Sequence, residues 1–386
     1  MTRVVIAPDK FKGSLTAVAA AEAIALGVRD ALPDADIAAC PVADGGEGTL
    51  EVLENAGGEL VRLSVRGPLE DHVDARYVVL DGTAYIESAR ACGIEFVDPT
   101  PETALAAHTW GVGELLGDAL SRGASRLVLT VGGTASTDGG AGMLAALGAG
   151  VFDAFDAPIG LGGGTLSRVA KVELGPARER LGTVPITVAT DVTNPLVGPD
   201  GAAAVFGPQK GARPHEVTEL DTALGRWAQT LVNAGAPDVS AVPGAGAGGG
   251  VAGGAIAGLG ATVASGFDLI AGLTGVDTAL VGADLVITGE GSLDSQSLSG
   301  KAPAGIAARA ARAGVPLMVL AGRIQLDAAG LASLGVVGSS ALIDHAPSLD
   351  HARTHAAELL RARASDLVRT WAVSLAPAPP GRRDRL

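Results

Sequence analysis

The chain has 386 residues, of which 47% are hydrophobic and 18% are charged. This length exceeds one ordinary domain and predicts about two, and the apolar content excludes a largely disordered chain. The 42 acidic residues outnumber the 28 basic ones, which gives a net charge of −14. A protein of that sign repels nucleic acids and anionic lipid surfaces, so we expect neither as a partner.

Cysteine usage and apolar runs indicate the compartment. Cys40 and Cys92 are the only cysteines, which excludes a disulfide framework and favours a reducing compartment. The apolar start before Pro8 is too short for a signal peptide. Residues 239–267 carry no charge and could span a bilayer, but glycine and alanine dominate them, so we favour a buried glycine-rich loop and helix. We expect a soluble cytoplasmic protein that is a monomer or a homodimer.

The first residues alternate between strand and helix patterns. They predict a strand, an amphipathic helix, a second strand and a second helix at residues 3–7, 16–31, 36–42 and from about Thr49. This order indicates a parallel sheet. Near Gly67 the pattern changes to short alternating runs at residues 59–65, 74–80 and 83–87, separated by hairpin signals such as Asp81-Gly82.

Longer elements follow in the second half of the chain. Strands are predicted at residues 126–131, 184–189, 284–288, 317–321 and 336–341, and helices at 113–120, 216–232, 302–313 and 349–373. The parallel rhythm resumes near Asp284. We therefore predict a two-domain α/β protein in which residues 1–66 and 283–386 form one discontinuous parallel-sheet domain. Residues 67–282 then form a second α/β domain that is inserted into the first.

Glycine-rich polar loops follow several strands, where open α/β sheets bind ligands. Residues 7–14 read APDKFKGS, and their lysines at a helix start suit a carboxylate or phosphate, although lysines that merely face water are an equal alternative. Residues 44–49 read DGGEGT, whose acids suit substrate hydroxyls, a lysine partner or Mg²⁺. Residues 132–140 read GGTASTDGG and predict a phosphate cradle.

Three further loops carry weaker or mixed signals. Asp191 follows a predicted strand and is a candidate base or metal ligand, or else only caps a turn. Residues 244–249 have the glycine spacing of a dinucleotide fingerprint, but no convincing strand precedes them. Residues 288–301 read TGEGSLDSQSLSGK and lack the first glycine of Walker A, and Ala302 replaces its Ser or Thr. What remains is Lys301 at a helix start, where it could contact a phosphate.

Six segments, in this order along nearly the whole chain, resemble the type I glycerate kinases: residues 7–14, 42–49, 132–140, 194–196, 206–211 and 289–297. The resemblance implies ATP- and Mg²⁺-dependent phosphorylation of D-glycerate, leaning towards the 2-hydroxyl and 2-phosphoglycerate. It also implies a Rossmann-like parallel-sheet domain joined to a distinct α/β domain, with the active cleft between them. Lys10 stands where the family often has serine, and residues 134–137 read TAST where the family often has a different run. These departures affect fine substrate preference rather than the reaction class.

Phosphoryl transfer needs positioning and charge neutralisation more than covalent chemistry. We therefore assign catalytic roles to Lys12, on the carboxylate of glycerate, and to Asp191, as base or metal ligand. The substrate-binding candidates are Asp9, Lys12, Asp44 and Glu47. The candidates for ATP and its phosphates are Gly132, Gly133, Ser136, Gly289, Ser297 and Lys301. The candidate Mg²⁺ ligands are Asp191, Glu290 and Asp294.

Two other classes of protein stay open. The glycine spacing of residues 244–249 would suit an NAD(P)-dependent oxidoreductase of a small hydroxy acid. A non-catalytic small-acid sensor would keep the pocket and lose turnover. Binding of NADH would support the first alternative, and absence of ADP release with glycerate would support the second.

Overall fold

The computed structural model describes residues 1–298 and 302–375. The strands are β1 (Arg3–Ile6), β2 (Asp36–Ala39), β3 (Glu59–Arg66), β4 (His72–Leu80), β5 (Thr83–Glu87), β6 (Arg126–Thr130), β7 (Gly150–Phe152), β8 (Lys171–Glu173), β9 (Ile186–Ala189), β10 (Thr262–Ala264), β11 (Leu285–Leu293), β12 (Leu317–Ile324) and β13 (Val336–Ala341).

The helices alternate with these strands along most of the chain. The α-helices are α1 (Ala17–Ala31), α2 (Thr49–Asn55), α3 (Ala89–Cys92), α4 (Pro101–Ala106), α5 (Trp110–Ser121), α6 (Ala141–Ala146), α7 (Gly175–Leu181), α8 (Ala202–Phe206), α9 (Pro214–Asn233), α10 (Val251–Leu259), α11 (Gly266–Leu273), α12 (Val276–Leu280), α13 (Ala302–Ala313), α14 (Ala328–Ser333), α15 (Leu349–Thr354) and α16 (Ala356–Leu375). Short 3₁₀ turns lie at Ile94–Phe96, Gly163–Arg168, Pro208–Lys210, Ser295–Leu298 and Leu342–His345.

The chain divides into two compact units. The terminal unit comprises Met1–Ala43 and the described residues from Ala271 onward, and the central unit comprises Asp44–Ile270. Both units combine helices with sheets that contain parallel strands. The predicted α/β class is therefore confirmed.

The terminal unit is built on a five-stranded parallel sheet in the order β13-β12-β11-β1-β2. Counted within this unit, the order is 2-1-3-4-5, the second common doubly wound order rather than the 3-2-1-4-5-6 order of the Rossmann fold. The order reverses between β1 and β11. Loops at such a switch point are where open α/β sheets bind ligands, so the residues that follow these two strands are of particular interest.

Helices α1 and α16 pack against each other in the terminal unit. Ile24, Val28, Leu360 and Val368 are fully buried in the core that they share with the sheet. The contact is close because the second half of α1 contains a glycine: a Cβ at Gly27 would lie 2.2 Å from the Arg361 carbonyl oxygen. Burial of these aliphatic side chains contributes roughly 1.5–3 kcal/mol each.

The central unit contains a six-stranded mixed sheet in the order β10-β9-β6-β5-β4-β3. The four strands from β10 to β5 are parallel, whereas β4 and β3 run antiparallel as consecutive hairpins. The predicted Asp81-Gly82 turn joins β4 to β5 with positive φ at both residues, 49° and 73°. A separate two-stranded ribbon is formed by β7 and β8.

The unit boundaries differ from the expected ones at 66/67 and 282/283. Strand β3 pairs with β4 over its whole length, from Glu59↔Val79 to Arg66↔His72. Residues 44–66 therefore belong to the central unit, although their strand–helix rhythm continues that of the first strands. The chain re-enters the terminal unit at Ala271, before α12 rather than after it. Sequence rhythm alone does not say which of two sheets a strand joins.

Two other elements differ from the sequence prediction. Strand β11 continues to Leu293 because β12 runs beside it as far as the Leu293↔Ile324 pair. Gly289 and Glu290 are therefore strand residues rather than loop residues. The helix predicted at residues 349–373 is two helices, since α15 ends at Thr354 and α16 begins at Ala356.

The uncharged run at residues 239–267 forms turns, the nine-residue helix α10 and the short strand β10. Most of α10 is buried in the core of the central unit. Over residues 1–298 and 302–375, no helix has both the length and the apolarity needed to cross a membrane.

Two glycines of the central unit predict opposite effects of the same substitution. A Cβ at Gly113 in α5 would lie 2.3 Å from the Met143 carbonyl oxygen, whereas a Cβ at Gly225 in α9 would meet nothing within 4 Å. We expect Gly113→Ala to destabilise the unit by about 1–3 kcal/mol through overpacking. Gly225→Ala should stabilise it by about 0.5–1 kcal/mol, since glycine disfavours a helix interior. Urea denaturation measures both, and shifts of the same sign would contradict the packing described here.

Candidate functional site

The first polar loop of the terminal unit runs from β1 to the start of α1. Phe11 is buried in the core and anchors the loop, whereas Lys12 beside it is exposed. The Asp9 side chain is buried, and its Oδ1 accepts a hydrogen bond from the Lys10 N–H at 2.6 Å and lies 4.0 Å from Lys10 Nζ. Asp9 therefore interacts with Lys10, and Lys12 is the lysine of the loop that faces solvent.

The second half of β11 lies directly beside this loop. The Asp9 N–H donates to the Gly289 carbonyl at 2.8 Å. A Cβ at Gly291 would come within 3.0 Å of the Lys12 nitrogen. The structure therefore brings Asp9 and Lys12 next to the strand that carries Glu290, at the switch point of the terminal sheet.

Glu290 is buried, and its carboxylate accepts a hydrogen bond from Ser297 Oγ. The same hydroxyl accepts a hydrogen bond from the Asp294 N–H at 3.1 Å. The single hydroxyl proton of Ser297 is thus directed at Glu290. Gly289 has a packing explanation, since a Cβ there would lie 2.0 Å from the Leu320 carbonyl oxygen of β12. Lys301 lies outside the described residues.

Three aspartates approach one another in the central unit, and we call them the aspartate group: Asp44, Asp191 and Asp268. A backbone contact brings their loops together, because a Cβ at Gly45 would lie 2.8 Å from Gly266 Cα. Asp44 Oδ1 accepts a hydrogen bond from the Gly46 N–H at 3.0 Å. Glu47 is exposed in the turn that precedes α2, away from these hydrogen bonds.

Asp191 lies just beyond the end of β9, as the sequence predicted. Its Oδ2 accepts a hydrogen bond from the Phe267 N–H at 3.2 Å. The residue as a whole is exposed, but partial burial of the carboxylate raises its pKa, and the negative charges of Asp44 and Asp268 add to this effect. Hydrogen bonds from Ser265 and Phe267 act in the opposite direction. The raised pKa makes Asp191 a better proton acceptor than an ordinary aspartate.

The loop after β6 is held by a buried acid. Asp138 accepts hydrogen bonds from the Thr109 N–H and hydroxyl at 2.9 and 2.8 Å, and from the Gly140 and Gly142 N–H groups at 3.1 Å each. The Ser136 side chain is fully buried, with its Oγ 3.9 Å from the Cys92 Sγ. The Ser136 hydroxyl therefore faces the protein interior, whereas Gly132 and Gly133 remain exposed.

Gly132 and Gly133 line a cavity of about 220 Å³ in the central unit. Its other walls come from the loops after β9 and before α10, and from the 3₁₀ turn at Pro208–Lys210. The lining residues that bear on the chemistry are Gly132, Gly133, Thr134, Gln209, Lys210 and Gly249. Lys210, to which the sequence analysis gave no role, is buried at this wall.

A larger hollow of about 610 Å³ lies over β3 and β4. Three arginines line it: Arg62, Arg76 and Arg90. Arg76 and Arg90 both pair with Glu51, and Arg90 also pairs with the buried Glu87 at 2.7 Å. Because these pairs neutralise most of its charge and it lies away from the strand ends, we assign no ligand to this hollow.

Sequence reasoning gave no site role to Asp268, for a definable reason. Asp268 follows the three-residue strand β10, which is hidden in a run without charges. A search for acids just after every short β-branched segment would have found it. The glycines at residues 244–249 follow turns rather than a strand, so they lack the structural context of a dinucleotide fingerprint.

No group of three or more His, Cys, Asp or Glu side chains among residues 1–298 and 302–375 is arranged to hold a metal ion. Mg²⁺ often needs only one or two carboxylates, with phosphates and water completing its shell. The oxygen donors of Asp191 and Asp44 fit that requirement chemically.

A doubly wound sheet with polar loops at its switch point, next in sequence to a second α/β unit with a glycine-lined cavity, is an arrangement typical of proteins that bind small ligands. The model of the glycerate kinase family matches residues 4–372, so the chain belongs to that family and is a kinase. A glycerate kinase of Halalkalibacterium halodurans is 40% identical over 96% of this chain and 99% of its own. The glycerate 2-kinase of Escherichia coli is 39% identical over 97% of this chain and 99% of its own.

A solved structure agrees with this assignment. The crystal structure of a candidate glycerate kinase 2 from Salmonella typhimurium superposes with a TM-score of 0.84 and 39% sequence identity. The match covers 97% of this chain and 99% of that one. The type I glycerate kinase resemblance is thereby confirmed at the level of the family.

Asp191→Asn separates a chemical role from a structural one. An asparagine can still accept the Phe267 N–H bond but carries no charge and is a very weak base. We expect kcat for glycerate phosphorylation to fall by about 10²-fold or more, the scale of a positioned acid–base group. The melting temperature should stay the same or rise slightly, since repulsion from Asp44 and Asp268 is relieved. Near-normal kcat with a sharply lower melting temperature would mean that Asp191 is structural.

Proposed function

We propose that this protein transfers the terminal phosphoryl group of ATP to the 2-hydroxyl of D-glycerate, giving 2-phosphoglycerate and ADP. The observation that carries the choice of hydroxyl is the 39% identity to the glycerate 2-kinase of Escherichia coli over 99% of that enzyme. The family assignment of the chain supports the kinase class itself. The two buried, unpaired cysteines are in keeping with a reducing compartment, so we also propose a cytoplasmic location.

Recognition of the acid is assigned to the loop between β1 and α1. Lys12 is exposed there and can offer its ammonium group to a carboxylate, whereas Lys10 interacts with Asp9. Asp9 holds its loop against β11 through the Gly289 carbonyl. We assign Asp9 to positioning this loop, and we assign Asp44 and Glu47 of the central unit to the hydroxyl groups of glycerate.

Activation of the attacking hydroxyl is assigned to Asp191. Burial raises its pKa and the charge of Asp44 adds to the effect, which makes it a better proton acceptor than an ordinary aspartate. Asp191 and Asp44 could alternatively bind Mg²⁺, with Glu290 and Asp294 as candidates in the terminal unit. The ion would neutralise charge that develops on the transferred phosphoryl group.

The phosphates of ATP are assigned to glycine-rich loops. The exposed Gly132 and Gly133 leave their backbone open to an anion. In the terminal unit, Gly289 and Ser297 are the residues that we assign to the phosphates. Ser136 contributes through its backbone rather than its hydroxyl, because that hydroxyl faces Cys92. Lys301 remains a candidate on sequence grounds alone.

Phosphorus NMR of the product made from D-glycerate and ATP tests the proposal directly. A phosphate on the 2-hydroxyl couples to one carbon-bound proton and gives a doublet, whereas a phosphate on the 3-hydroxyl couples to two and gives a triplet. We expect the doublet, together with stoichiometric ADP. A triplet would refute the choice of hydroxyl, and absence of ADP release would favour the sensor alternative.

Lys12→Ala should raise the KM for glycerate by about 10- to 100-fold, because it removes a charge-assisted hydrogen bond worth about 1.5–3 kcal/mol. The KM for ATP should change little. Lys171→Ala is a matched control, since Lys171 is a surface lysine paired with Asp156 and Glu173 on the β7–β8 ribbon. Initial-rate kinetics measure both constants, and an unchanged glycerate KM would remove Lys12 from the site.

A further inference from the structure

The cavity beside β6 contains a buried ammonium group that forms no ion pair with any described residue. Lys210 is only 3% exposed, and its Nζ donates to the Ser136 carbonyl at 2.5 Å and approaches Thr134 Oγ1 at 3.4 Å. Among residues 1–298 and 302–375, no carboxylate forms an ion pair with it. An ammonium has three donor hydrogens, so one donor has no acceptor among the described residues, and the carboxylate of Asp138 acts on the charge only from beyond ion-pair distance. Burial of a charge without an ion-pair partner is unfavourable. An anionic ligand bound next to Lys210 would offset that penalty.

Three backbone N–H groups next to Lys210 also have no hydrogen-bond acceptor among the described residues. Gly132, Gly133 and Thr134 follow β6, and in the described part of the chain their N–H groups donate no hydrogen bond. Successive free N–H groups form the concave donor surfaces that bind phosphate oxygens in many proteins. All three residues line the same cavity as Lys210.

Two glycines keep this cavity open for different reasons. A Cβ at Gly249, where φ is +72°, would lie 2.0 Å from the Ser136 carbonyl oxygen and 2.8 Å from Lys210 Nζ. Only glycine therefore allows the backbone at this position to lie so close to the ammonium group. A Cβ at Gly132 would meet nothing closer than Gly46 Cα at 3.5 Å. Packing within the protein therefore does not require glycine at 132, whereas a ligand that occupies the cavity would.

We propose that this cavity binds the phosphate oxygens of the nucleotide, with Lys210 as the cation and the N–H groups of Gly132, Gly133 and Thr134 as additional donors. The inference rests on the proposed function, which it extends by naming the cationic residue. Phosphate and carboxylate are both oxyanions that these donors could bind, so the carboxylate of glycerate is the alternative ligand. We favour phosphate because several converging donors match its several oxygens.

The ionisation of Lys210 supports this role and gives a test without substitution. Burial lowers its pKa to about 8, against the opposing effects of Cys92 and Asp138, which both face it. The pKa of Cys92 is itself raised by burial to about 12, so this thiol stays neutral over the range of interest. An oxyanion prefers charged Lys210, so its affinity should be constant below about pH 7.5 and fall at higher pH.

The first experiment is calorimetric titration of the complete, unsubstituted protein with tripolyphosphate and with ADP, in metal-free buffer from pH 7 to 9.5. The charge of ADP is constant over most of this range, since the second pKa of such a phosphate is about 6. Tripolyphosphate loses a further proton in the upper part of the range, so ADP is the probe for the pH series. We expect the affinity for ADP to fall several-fold above pH 8, with proton uptake on binding. Absence of binding, or affinity that does not depend on pH, would overturn the proposal.

The second experiment replaces the ammonium. Lys210→Met keeps the length and apolar stem of the side chain, and it should weaken tripolyphosphate and ADP about 10- to 100-fold, the usual scale for a charge-assisted hydrogen bond. Lys210→Arg should recover part of this loss, and the surface control Lys171→Met should bind both probes as tightly as the unsubstituted protein. If Lys210→Met fails to fold, the arginine variant and the pH series still decide the question.

The outcomes separate this inference from the proposed function. Loss of glycerate binding in Lys210→Met with normal tripolyphosphate binding would overturn the phosphate assignment in favour of the carboxylate. Normal binding of all probes would overturn the site itself, even if the protein phosphorylates glycerate. Phosphate binding that depends on Lys210 in a protein that does not phosphorylate glycerate would support the site and refute the proposed function.

Discussion

The parallel pairing of β1 with β11 is the constraint on which the terminal unit depends. It joins Val4 to Leu285 and Ile6 to Ile287, residues about 280 positions apart in sequence. The pairing continues beyond the strand as hydrogen bonds from the Ala7 and Asp9 N–H groups to the Ile287 and Gly289 carbonyls. Because the strand order reverses at this pair, the same hydrogen bonds that close the sheet also place Lys12 and Glu290 at its ligand-binding end.

That pairing also explains why the central unit can be an insertion. The terminal sheet is complete only when the chain returns to it, so everything between β2 and α12 must leave and come back. Loop closure of this length carries an entropic penalty that grows only slowly with the number of residues. A large inserted unit is therefore tolerated, provided that it has a core of its own. The central unit meets this condition with a separate core that includes Trp227, Met143 and Leu127.

Much of the fold follows from the sequence because its signals are local. Strand–helix rhythm, the Asp81-Gly82 turn and the family motifs identified the α/β class and most elements. The assignment of β3 failed because edge pairing is decided by tertiary contacts, and β3 belongs to the hairpins of the central sheet. The extension of β11 through Gly289 was missed because glycine normally ends a strand, whereas here it allows the Leu320 carbonyl to approach.

The candidate sites were predicted less completely, for the same physical reason. Asp191 could be found because a β-branched strand precedes it directly. The association of Asp191 with Asp44 and Asp268 depends on the backbone contact between Gly45 and Gly266, which links segments about 220 residues apart. Lys210 could not be recognised as a buried cation, because in the sequence it follows Pro208 and Gln209 in an apparently exposed turn. Burial of a lysine is a property of the surrounding loops rather than of the local sequence.

The electrostatics of Asp191 connect stability to the proposed chemistry. Its pKa is raised in the folded protein, so the folded state holds this proton more tightly than the unfolded chain does. Whatever stability the group contributes is present at low pH and is lost as the pH rises above the ordinary value of an aspartate. As the pH rises, the charge of this exposed carboxylate therefore opposes folding, by an amount that solvent screening keeps small. An asparagine could accept the same Phe267 N–H bond without that penalty, so turn formation alone does not account for an acid at this position. The raised pKa is therefore in keeping with the proposed role of Asp191, in which the carboxylate accepts a proton or binds a cation.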